Sequence, residues 1–193
     1  MIARILRCAA VAGTLALPAL AMDESPAAIA LRGDRTREHL LLPDLPVTDS
    51  TGHRQGFVSR YADAGPVLIA FLYTNCTEYC GLTISVLGIV DMLLQEPGAP
   101  RLRVVAISID PRRDTPQVLA EMAGLVQASP RWDWVVASPA DTPTLLQAFG
   151  LPTGPLEQHP ATYLLGDLRS GLFQRLPGDA QPEDLLALAR QLR

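Results

Sequence analysis

Three short apolar runs constrain this chain more than any other feature. Residues 67–73 (VLIAFLY) and 102–109 (LRVVAISI) are almost continuously apolar and rich in Val and Ile, and Trp134 to Ala137 is a shorter run of the same kind. Runs of this length and composition read as strands buried on both faces. Each is followed by a helical pattern. In residues 80–95, Leu82, Val86, Ile89, Val90, Leu93 and Leu94 are expected to line the buried side of a helix that Pro97-Gly98 stops. "DTPQVLAEMAGLV", from Asp114, and "DTPTLLQAFG", from Asp141, each place a capping side chain before a proline that fits the first helical turn; Asp114 or Thr115 can cap the first of them. Gly150 closes the second.

Upstream, "PVTDSTGHRQGFV" (46–58) reads as two short strands around a turn at Ser50-Thr51-Gly52. Downstream, "ATYLLG" (161–166) and "LFQRL" (172–176) form a hairpin around Asp167 to Gly171, and "QPEDLLALARQLR" is a closing helix with acids in its first turn and arginines at its end. Strands alternating with helices call for an α/β fold: a mostly parallel central sheet, an antiparallel C-terminal hairpin and flanking helices. A chain of 193 residues suits one domain. In such sheets ligands collect beyond the carboxyl ends of the strands.

The first 21 residues read as an export signal. Arg4 and Arg7 precede an apolar stretch from Cys8 to about Leu20, Ala19-Leu20-Ala21 is an A-x-A cleavage signature, and Asp23-Glu24 follow. The alternative is an uncleaved anchor on the outer face of the inner membrane, the one case in which the chain would contact a membrane. Residues 22–42 form a loose lead-in, and residues 43–193 form the domain. The sequence has sixteen arginines and no lysine, and cleavage would take its formal charge from −4 to −6, two arginines fewer. That balance argues against nucleic acid as a partner.

Cleavage also removes Cys8, leaving only Cys76 and Cys80 in an oxidising, periplasmic compartment where an idle thiol pair is a liability. Their spacing follows the end of the first buried run. Residues four apart on a helix have Cβ atoms ~5–6 Å apart, a disulfide wants ~3.5–4.5 Å, and two thiolates on one metal hold their sulfurs roughly 4 Å apart. The spacing accommodates a metal more easily than a bond, although a disulfide can form if Cys76 lies in the loop before the helix. Two thiolates suit Cu(I), zinc or an iron–sulfur cluster; with only two cysteines, Cu(I), which accepts fewer ligands, fits best. A helix N-terminus is expected to lower the thiol pKa there, against the opposing charge of Glu78.

Three histidines could supply a third donor. His39 lies in the lead-in and His53 in a turn, and both read as solvated surface residues. His159 stands just before the strand at 161–166, where a loop can face the first helix; spacing alone leaves it open between ligand and plain loop residue. "SIDPRRDTP" (108–116) holds Asp110 at a strand end and Asp114 near a helix cap. Their hard oxygens do not match Cu(I).

Taken together, "YTNCTEYCGLT", "SIDPRRDTP" and "HPATYLLGDLRSG" make the chain resemble the Sco/SenC family of thioredoxin-like copper proteins, which assist assembly of the copper site of cytochrome c oxidase. The likeness covers about residues 43–192. It implies a thioredoxin-like fold, with copper, as Cu(I) or Cu(II), held by Cys76, Cys80 and His159. It implies that Asp110 and Asp114 shape the loop or meet a partner. The implied partner is the copper-bearing oxidase subunit or another copper chaperone. Family members often carry proline after each cysteine, where this chain has Thr77 and Gly81. Thioredoxin-like folds also place a cis-proline beside the active cysteines, and Pro160 is expected to take that place.

A second function fits the same dithiol: a thiol–disulfide reductase in which Cys76 attacks, Cys80 resolves and His159 has no part. A peroxidase would need an oxyanion-stabilising set around one reactive cysteine, which the sequence lacks. A purely structural disulfide would gain little from closing so short a loop.

Overall fold

The computed structural model describes residues 37–76 and 80–192. The first 21 residues, expected to be an export signal and including Cys8, most of the expected lead-in, and Thr77 and Glu78 between the cysteines lie outside the described residues.

Eight strands form one sheet: β1 (Arg37–His39), β2 (Pro46–Asp49), β3 (Arg54–Gly56), β4 (Val67–Leu72), β5 (Arg103–Ser108), β6 (Trp132–Ala137), β7 (Thr162–Asp167) and β8 (Leu172–Pro177), in the order β1-β8-β7-β4-β5-β6-β2-β3. The parallel part is its centre, where β4 pairs with β5 and β5 with β6. The β7–β8 hairpin lies antiparallel against β4, and the β2–β3 hairpin antiparallel against β6. Two crossover helices therefore serve the parallel centre, and hairpins complete both edges.

The helices are α1 (Phe57–Tyr61), α2 (Cys80–Leu93), α3 (Pro116–Leu125), α4 (Thr142–Ala148) and α5 (Pro182–Ala189), with a 3-10 turn at Leu156–Gln158. Alternation along the central strands divides the core. Leu68, Ala70, Leu72, Val104, Ala106 and Trp134 face α2, α3 and α5, while Val67, Ile69, Phe71, Val105, Ile107 and Val135 face α1 and α4. Every residue of β4 is buried, as its unbroken apolar run requires.

Two local readings change. Arg37–His39, within the expected lead-in, pairs as an edge strand with β8. It has no apolar period because an edge strand is held by backbone hydrogen bonds rather than by a buried face. The phase of α2 also differs from the sequence reading. Val86, Leu87, Val90 and Leu94 are buried, but Leu82 is 56% and Ile89 41% exposed. A helix apolar nearly all round carries little phase information. The phase follows instead from docking. Asp91, buried, accepts hydrogen bonds from Ser129 N (2.9 Å) and Oγ (2.6 Å), and Gly88 turns toward the Trp132 ring.

Candidate metal and thiol site

The site lies where the sheet topology puts it, beyond the carboxyl ends of β4 and β5. A cleft of about 290 Å³ opens there, and Tyr73, Cys76, Cys80, Arg113, Glu157 and His159 are among its lining residues. Cys76 ends the loop that leaves β4, and Cys80 opens α2. The Cys80 N–H donates to Cys76 Sγ at 3.3 Å, so the first turn of α2 aims a donor at the sulfur. The two residues are thiols, not a disulfide.

Thr115 caps α3, accepting from Val118 N at 3.3 Å, and this leaves Asp114 for another task. Asp114 is buried and accepts from Thr74 Oγ1 (2.5 Å), Thr74 N (3.1 Å) and Ser108 Oγ (2.6 Å). It ties the loop bearing Cys76 to the end of β5. Asp110, also buried, holds the side chain of Arg113, which is half exposed at the rim of the cleft. Both acids therefore have internal partners.

His159 follows the 3-10 turn, its N–H donating to Leu156 O at 3.2 Å. Its Nδ1 is buried and has no hydrogen-bond partner. Burial pushes its pKa below the usual 6.5, so the ring is neutral at pH 7, the form that ligates metals. Behind it, Gly178 lies against Ala161 so closely that a Cβ there would stand 2.4 Å from the Ala161 Cβ. No described peptide bond is cis, so the bond before Pro160 is trans and the cis-proline expectation is not met.

The electrostatics also depart from expectation at Cys80. Burial, reinforced by its hydrogen bond with Cys76, pushes its thiol up to about 12, despite an opposing hydrogen bond from the Tyr73 backbone. Desolvation of a thiolate in the core outweighs the helix N-terminus. Cys80 is thus a resting thiol that a soft cation can deprotonate, since metal binding releases the proton.

The structure brings Cys76, Cys80 and His159 to one cleft and leaves His39 and His53 elsewhere. His53 stands in its turn, with Nδ1 3.2 Å from Arg60 Nη1. The three donors are not drawn into a finished cluster. Among the described residues, no three His, Cys, Asp or Glu side chains are close enough together to hold a metal ion. The donor types fit a soft cation nonetheless, and no hydrogen bond ties His159 Nδ1 to another described group. Tyr73 and Arg113 were not singled out by sequence reasoning, although both sit in the quoted motifs. Nothing in the local pattern separates an arginine at the rim from one in solvent.

The chain matches the family model described as SCO1/SenC over residues 45–192. No curated protein sequence matches it. Among solved structures it is similar to a SCO1/SenC family lipoprotein from Bacillus anthracis, at 17% identity with a TM-score of 0.69, covering 82% of this chain and 98% of that one. It is similar to Bradyrhizobium japonicum ScoI with copper bound, at 22% identity and a TM-score of 0.65, covering 79% and 99%. It is also similar to BsSco, described as a member of the Sco family of cytochrome c oxidase assembly proteins, at 16% identity and a TM-score of 0.70, covering 83% and 97%. At these identities the structural likeness shows a shared fold.

Proposed function

This chain belongs to the SCO1/SenC family, and from that premise we propose that it is an exported copper-binding protein that delivers its cargo during assembly of the copper site of cytochrome c oxidase. Cys76 and Cys80 bind Cu(I) as thiolates, and His159 completes a three-coordinate site. The observation that carries this reading is that Cys76, Cys80 and His159 line a single cleft. The copper-bound relative on the same fold supports it.

The two thiols give up their protons as the cation enters and bind it as thiolates, and the imidazole, already neutral, gives up none. Because the donors line an open cleft rather than a closed cage, ligands of an incoming partner can replace them one at a time. Copper enters from another chaperone or a small carrier and leaves toward the oxidase's copper-bearing subunit. Export rests on the signal-like first 21 residues, and the B. anthracis relative's description as a lipoprotein is in keeping with it. Among the described residues, no helix is long and apolar enough to cross a membrane.

Titration of the reduced protein against a competing Cu(I) chelator tests the reading. One Cu(I) per chain is expected, and none after Cys76→Ser or Cys80→Ser. A second reading, thiol–disulfide exchange with Cys76 attacking and Cys80 resolving, draws support from the closeness of the pair, the Cys80 N–H donating to Cys76 Sγ at 3.3 Å. A reduced protein that holds no copper, yet reduces a partner disulfide normally with His159→Ala, would establish it in place of the first.

A further inference from the structure

We propose that the pole of the domain opposite the cysteine cleft docks on the phosphate headgroups of an anionic bilayer, an inference that rests on the proposed export and not on copper. A groove of about 920 Å³ opens at that pole, beside the amino ends of β4 and β5, and its lining includes Arg37, Arg101, Arg169 and Arg190 with Asp63 and Asp167. The four arginines come from four places in the chain: the start of β1, the loop before β5, the β7–β8 turn and the carboxyl end of α5. Arg169 pairs with Asp63, and Asp167 Oδ1 accepts from Ser170 N at 2.9 Å within its own turn. Arg37, Arg101 and Arg190 are exposed and have no ion pair among the described residues.

Four arginines against two aspartates leave this groove positive on a chain whose formal charge is −4. Guanidiniums without an acidic partner present forked donors that match phosphate. Several on one face attract an anionic surface, and salt screens that attraction. The course of the chain selects a bilayer as the source of the phosphates. Arg37 itself lines the groove, and the 36 residues before it include the apolar stretch Cys8 to Leu20 and, just ahead of β1, Arg32 and Arg35. Residues 21–36 span at most ~55 Å, so an anchor retained at 8–20 keeps lipid within reach of the groove. After cleavage the same arginines make a peripheral contact. β4 and β5 are six residues long, or ~20 Å, and the cysteine cleft lies beyond their other ends. A domain seated on this pole therefore turns the cleft away from the lipid, toward partners in the aqueous phase.

Sedimentation of the exported protein with vesicles of mixed phosphatidylglycerol and phosphatidylcholine, and with vesicles of phosphatidylcholine alone, tests the contact. Binding to the anionic vesicles only, lost at about 0.5 M salt, is expected. Arg37→Gln combined with Arg190→Gln should weaken it roughly thirtyfold, at about fivefold per arginine. Arg54→Gln combined with Arg112→Gln removes the same charge from exposed arginines elsewhere and should change binding little. Equal losses for the two pairs, or no preference for anionic vesicles, overturn the proposal. Where a retained N-terminus holds the protein on both kinds of vesicle, amide hydrogen exchange at residues 98–101 and 189–192 gives the readout. Slower exchange on the anionic vesicles supports the contact, and equal rates overturn it. A lipid-free dimer that the first pair of substitutions abolishes assigns the groove to a second copy instead. If cell fractionation finds the protein unexported, the proposal falls with its premise. Copper titration bears on neither result, so failure of the copper reading and failure of this one are read separately.

Discussion

The Thr74 hydroxyl donates to Asp114 Oδ1 at 2.5 Å across 40 residues of sequence. With the Thr74 N–H and the Ser108 hydroxyl on the other oxygen, it makes Asp114 the tie between the loop that ends in Cys76 and the end of β5. Asp114→Ala would leave three donors in or near the core without an acceptor, at a cost of about 3 kcal/mol. Urea unfolding of the metal-free protein should show that loss, and copper affinity should fall about tenfold as the loop loosens. An unchanged unfolding midpoint would deny Asp114 this role.

His159 should distinguish the two oxidation states of the cargo. Imidazole is a harder donor than thiolate, so His159→Ala is expected to weaken Cu(II) binding more than Cu(I) binding. Parallel competition titrations in the two states would check it. Equal losses would argue against the ring as a ligand.

The phase of α2 predicts a sharp contrast on one helix. Leu87→Ala, at a fully buried position, should cost ~2–5 kcal/mol, whereas Leu82→Gln, 56% exposed, should stay within about 0.5 kcal/mol of wild type. Melting temperatures of the two variants decide it. The reverse order would restore the face expected from the sequence.

Acid stability should depend on Asp49. Burial pushes its pKa up, but hydrogen bonds from the Thr51 hydroxyl, the His53 N–H, the Arg60 guanidinium and the Thr51 N–H outweigh this and hold it below the usual 3.8. A depressed carboxyl stabilises the fold above its unfolded pKa and loses that contribution as pH falls through the folded pKa. Asp49→Asn should therefore be less stable than wild type at neutral pH, with the gap closing below about pH 3.8. Unfolding midpoints from about pH 6 to pH 3 would show whether the gap closes.

Local chemistry determined much of this protein. Unbroken apolar runs made β4 and β5 buried strands, a capping threonine before Pro116 started α3, and two cysteines at the end of a strand marked the working rim. Those signals lie within a few residues of where they act, so no other part of the chain was needed to read them. Tertiary structure alone decided the rest. Burial against the sheet selected which face of an almost wholly apolar helix turns inward. The same burial lifted the Cys80 thiol where a helix terminus by itself would have lowered it. Packing brought His159 to the cleft of two cysteines some 80 residues earlier, and gave Asp114 a partner 40 residues away in place of a cap. Desolvation and long-range hydrogen bonds depend on which surfaces meet, and sequence spacing carries no record of that.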